Sequence, residues 1–220
     1  QRFILTVYRD IDKRSNNMAN NNSTGFGLIP VGVLGSTPAT QGQGKYYIDA
    51  AYDKDLFQGT AVQSKVGYMK VGQNAITDLT IGVLNGIFYN ASTTLKPTWA
   101  NWYNQPITPA NSEDITAFVL DNPMQLYMGL IDGAAAQAVY GKTYGLTTGD
   151  PTGNELAGQS TSKVIVAGVS ATANSWRLIR LAEDPQNKDM TTGGTSVIVD
   201  LSFVVDVEVA AFHNSNSLTV

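Results

Sequence analysis

Apolar and polar side chains nearly alternate along Trp176, Arg177, Leu178, Ile179, Arg180 and Leu181, and the alternation returns from Ser196 to Val209. A period of two sends successive side chains to opposite faces of a strand, here with one face on a core and one wet. The second run is rich in β-branched residues, which fit a pleated surface. Between the two runs, residues 182–194 are too polar and too broken for a helix, and Pro185 and Gly193-Gly194 each predict a turn. The two runs are therefore predicted to pair antiparallel across a long loop, with the rest of the chain arranged around them.

Shorter runs predict further strands at residues 45–50, 56–63, 66–71, 79–89, 115–120, 124–131 and 164–169, a spacing that suits a barrel or sandwich. Residues 26–35 are apolar but interrupted by Gly and Pro, which predicts an extended segment on a surface rather than a central strand. Residues 3–8 read as a strand, and the Asn- and Ser-rich stretch after Arg14 as a linker that buries almost nothing. The best helix candidate runs over residues 132–140, with Asp132 as N-cap and Gly141 as stop. Residues 141–162 read as loop, and Trp99, Trp102 and Tyr103 fall in a loop bracketed by Pro97 and Pro106. The expected fold is all-β: an antiparallel barrel or sandwich body at 36–213, an extended N-terminal arm and linker at 1–35, a tail at 214–220, and at most one or two short helices. Met18 before a small residue reads as a translation start, which would make residues 1–17 an extension.

Composition narrows the function more than the fold. Among 220 residues 43% are hydrophobic and 15% charged, with a net charge of -4. An acidic chain without a basic cluster beyond residues 9–14 is a poor match for nucleic acid, whose affinity comes mainly from clustered Lys and Arg. The absence of cysteine removes disulfides and thiolate metal sites. No membrane span is read, and the apolar run at the N-terminus is too short for a signal sequence, so a soluble protein made in a cytoplasm is expected.

Candidate chemistry is sparse. The single histidine, His213, would have to carry any Ser-His or Cys-His arrangement alone. The acidic pairs Asp10 and Asp12, Asp53 and Asp55, Glu113 and Asp114, and Glu183 and Asp184 sit in turn-like contexts, where carboxylates cap backbone groups. Asp53-Lys54-Asp55 lacks calcium-loop spacing, and Gly42-Gln43-Gly44-Lys45 lacks the first glycine and the hydroxyl of a phosphate loop. The expectation is no enzyme, no catalytic residue, no cofactor and no metal. The aromatic cluster Trp99, Trp102 and Tyr103 has three readings: a lid on its own core, a protein interface, or a sugar-stacking platform.

Several stretches together resemble the decoration, or cement, proteins that coat the heads of tailed bacteriophages. They are Met18-Ala19-Asn20-Asn21-Asn22 with Gly25-Phe26-Gly27-Leu28-Ile29-Pro30-Val31, the run from Leu79 to Tyr89, Asn101-Trp102-Tyr103, the run from Ala117 to Pro123, and the run from Leu178 to Asn187. Residues 1–17 and the stretch beyond Val205 depart from that pattern. The resemblance implies a non-enzymatic virion protein on the capsid surface, assembled in the host cytoplasm. Its implied partners are the major capsid protein and further copies of itself, as dimer or trimer, with no nucleic acid and no membrane. Candidate interface residues are Phe3, Leu5 and Val7 in the arm, Phe26 and Leu28 in the extended segment, and Trp99, Trp102 and Tyr103. The alternative expectation is a carbohydrate-binding β module of a phage tail or adhesin that uses the three aromatic residues.

Overall fold

A computed structural model of the chain describes residues 24–35, 42–72, 80–133, 139–147, 153–166, 175–183 and 195–201. The expected strand at 3–8, the stretch 202–209, His213, the tail, and most of the expected helix at 132–140 lie outside them.

The described residues form an all-β, antiparallel sandwich of two six-stranded sheets and a two-stranded ribbon. In chain order the strands are β1 (Ile29–Val33), β2 (Gly44–Ile48), β3 (Ala61–Lys65), β4 (Tyr68–Val71), β5 (Thr80–Asn90), β6 (Pro97–Ala100) and β7 (Ile115–Leu120). They continue as β8 (Gln125–Leu130), β9 (Thr143–Leu146), β10 (Gly153–Asn154), β11 (Gln159–Ser160), β12 (Val164–Ile165), β13 (Trp176–Leu181) and β14 (Ser196–Leu201). The first sheet runs β1-β8-β14-β13-β9-β12 and the second β2-β7-β5-β3-β4, with β6 added on β5. A 3-10 turn spans Ala110–Ser112.

The pair predicted from alternation is present: β13 and β14 pair antiparallel and sit inside the first sheet. Their opposed Arg177 and Asp200 form a two-pronged ion pair, in which the Arg177 Nε donates to Asp200 Oδ1 at 3.0 Å and a second guanidinium nitrogen donates to Oδ2. The hydrogen bonds that the guanidinium donates to the Asp200 carboxylate hold the Arg177 pKa above its ordinary value. Because Asp200 is buried, the charge needs this partner.

Four readings need correction. Residues 97–100 form a strand, β6, because β5 supplies a pairing edge that the local sequence does not advertise. Residues 141–162 hold three short strands, β9 to β11, rather than loop alone. The strand expected at 56–63 begins only at Ala61, since Gly59 has a positive φ of 86° that breaks the extended chain. The body begins before residue 36: Leu28 is in the core, and β1 is an edge strand on β8. Leu28 N–H donates to Gly59 O at 2.9 Å and Gly59 N–H to Leu84 O at 2.9 Å, which ties the expected arm segment through the glycine to β5.

Two cores result. Ala61, Val83 and Leu120 on one face of the second sheet meet Tyr127, Trp176, Leu178, Val197 and Val199 of the first, with Tyr127 edge-on to Trp176 at 5.6 Å. The opposite face of the second sheet has a core of its own, built from Val62, Leu84, Ile87, Ile115, Ala117 and Val119 and closed over by Ile48, Leu56, Met69 and Tyr103. The sheet curls until β2 and β4 come alongside each other. Its interior is thus that of an incomplete barrel.

Candidate functional site

The second sheet carries the residues that matter, and register decides which way each one points. In an antiparallel sheet directly opposed residues share a face. Tyr47 of β2 opposes Thr116 of β7, Thr116 opposes Phe88 of β5, and Phe88 opposes Trp99 of β6. These four side chains form one row across four strands on the outer face. Strands lie about 4.8 Å apart, so the row extends roughly 14 Å.

The row's three aromatic members are open to solvent, Tyr47 at 44%, Phe88 at 36% and Trp99 at 53%, while Thr116 between Tyr47 and Phe88 is buried. Trp99 packs on Phe118 at 4.9 Å, and its ring lies over Gly86, where a Cβ would come within 2.7 Å of it. Glycine at that point lets the indole rest on the sheet. Lys45 stands beside Tyr47, its ammonium 5.8 Å from the ring centroid. Exposed aromatic side chains gathered on one face of a sheet are a feature that marks contact sites.

The inner face differs. Tyr103 is 0% exposed, exchanges backbone hydrogen bonds with Leu56 at 2.8 and 3.0 Å, and donates its hydroxyl to Tyr52 O at 2.9 Å. Burial pushes its phenol pKa up. Tyr46 donates to Asp121 Oδ2 at 2.7 Å, and desolvation with that carboxylate raises its pKa to about 12. Tyr127, in the core between the sheets, is raised by burial as well. These phenols are structural donors.

The sequence candidates therefore separate. Trp99 is exposed and lies in the row. Trp102 is partly buried, stacked on Phe57 at 4.8 Å and 8° and backed by Gly158, where a Cβ would meet its ring at 2.4 Å. Tyr103 and Leu28 have their side chains inside the two cores and present no contact surface, while Phe26 is partly exposed. Phe3, Leu5 and Val7 lie outside the described residues. Tyr47, Phe88 and Phe118 were missed, because nothing local links them and only the pairing of β2, β7, β5 and β6 makes them neighbours.

Asp10, Asp12 and Asp184 lie outside the described residues, and among those described the acidic candidates do not converge on a cleft. Asp55 accepts from the backbone N–H of Gln105 at 2.9 Å, Glu113 from Asn90, Asp114 from the Tyr68 hydroxyl, and Glu183 from Arg180. Among the described residues no group of three or more His, Cys, Asp and Glu is placed to hold a metal ion. Comparison of the chain with protein families, curated sequences and solved structures finds no match.

Proposed function

We propose that this chain is a structural virion protein that binds the outer surface of a phage head and braces the lattice of its major capsid protein. The observation that carries the reading is the exposure of Tyr47, Phe88 and Trp99 on one face of the second sheet, on a sandwich whose described acidic residues are spread over separate turns. Aromatic side chains are favoured contact anchors because they offer large area at low entropy cost. A protein that binds the assembled lattice and not its separated subunits stabilises the assembly by mass action. The likeness of most of residues 18–206 to cement proteins points the same way and rests on sequence.

Copy number tests the proposal. Quantitative mass spectrometry of purified particles should find the chain at a stoichiometry comparable to that of the major capsid protein. A handful of copies per particle would place it in a tail or fibre and sink the reading.

A further inference from the structure

The back of the same hairpin carries a second site. On the side of β5 and β6 opposite Trp99, a groove of about 470 Å³ opens between the turn after Asn90 and the loop 101–108. Tyr89 and Trp102 supply its aromatic surfaces, and Ser92, Thr93, Asn104 and Thr108 its polar ones. None of its lining residues is charged.

The groove is built rather than incidental. Ser92 N–H donates to Thr108 O at 3.3 Å and Ala91 bridges to Pro109, which joins the two walls. Trp102 is fixed by its stack on Phe57, and its neighbour Asn101 donates its side-chain amide to Ala157 O at 2.6 Å. The next residue, Tyr103, anchors the loop in the barrel core. A side chain already held in place loses little entropy when a ligand arrives. Among the described residues, the side chains of Ser92, Thr93, Asn104 and Thr108 make no hydrogen bond to another protein group, so their donors and acceptors face the groove or water.

We propose that this groove binds a neutral glycan. A sugar ring presents apolar C–H faces that suit an aromatic surface and a rim of hydroxyls that suits hydroxyl and amide partners. An uncharged lining offers no counter-ion to a carboxylated or sulfated sugar, nor to a phosphate. The site uses Trp102 and Tyr89 rather than Trp99 or Tyr103, and it does not depend on the capsid reading, since it lies on the other face of the hairpin.

The test is isothermal titration of the full chain with cellohexaose, maltohexaose and chitohexaose, and with an oligogalacturonate as the charged control. At least one neutral oligosaccharide should bind with a micromolar to millimolar Kd, and the charged one should not. Trp102→Ala and Asn104→Ala should each weaken that binding about tenfold or more, and Trp99→Ala should leave it unchanged. Should Trp102→Ala fail to fold for want of its Phe57 stack, the exposed Asn104→Ala and Thr108→Ala decide the matter. Failure of all three neutral sugars at millimolar concentration overturns the proposal. So does equal binding of the charged one, or a loss with Trp99→Ala as large as with Asn104→Ala.

Discussion

The two sheets spend their apolar residues differently. In the first, β14 is buried at all six positions, on both of its faces, and takes even an aspartate into the interior. In the second, Ile87 is wholly buried while Phe88, its neighbour on β5, stands in solvent. The first sheet needs its partner in order to have a core. The second has curled far enough to enclose one of its own, so part of its outer face is left over, and that surplus is where the aromatic row stands. A contact surface is easiest to maintain on an element whose stability does not depend on covering it.

This contrast can be attacked from its strongest side first. Arg177→Ala should destabilise the molecule by roughly 3 kcal/mol, because it leaves the buried Asp200 without its partner. Chemical denaturation reads the loss, and a change below about 0.5 kcal/mol would mean the pair is merely superficial. Ile87→Ala should cost about 2–4 kcal/mol as a cavity in the barrel interior. If its cost is no greater than that of Phe88→Ala, the two faces of β5 are not distinct.

Alkali probes the interior phenols without mutation. Tyr46, Tyr103 and Tyr127 have folded pKa values above the ordinary phenol, so the folded protein keeps protons that the unfolded chain gives up. Their contribution is fully present below about pH 10 and is lost as pH rises towards 12 and beyond. The unfolding midpoint should be flat with respect to these groups below pH 10 and fall above it. A midpoint that is insensitive through that window would contradict their burial. The smallest effect on folding belongs to the row: Trp99→Ala should change stability by no more than about 0.5 kcal/mol while releasing the chain from capsids in a co-sedimentation assay. A large drop in melting temperature with attachment intact would reverse the assignment.

Much of the framework was legible in the sequence because it rests on local alternation. The strand at 115–120 and the β13 run were read with the bounds the structure shows, and within the segment 26–35, read as extended rather than as a central strand, Ile29–Val33 forms an edge strand. Misses came where long-range pairing overrode local character. Trp99 and Tyr103 lie four residues apart in one aromatic cluster, yet β5 draws the first into an exposed edge strand and Leu56 draws the second into a core. Val66 and Gly67, read as the start of a strand, both take positive φ and form the turn between β3 and β4. The aromatic row has no signature along the chain at all, since its members come from positions 47, 88 and 99 and are assembled by register.

One irregularity in β5 governs which side is which. Opposite β7, the strand steps from Leu84 to Gly86 with Asn85 unmatched, and the Gln58 side-chain amide donates to the Asn85 carboxamide oxygen at 2.9 Å. Counted by simple parity from Val83, Ile87 would land outside and Phe88 inside; the extra residue corrects the count. Chain length at this point is therefore neutral to the cross-section. Losing Asn85 would straighten the strand and keep every later side chain on its present side, whereas losing Ile87 would turn the remainder of the hairpin inside out.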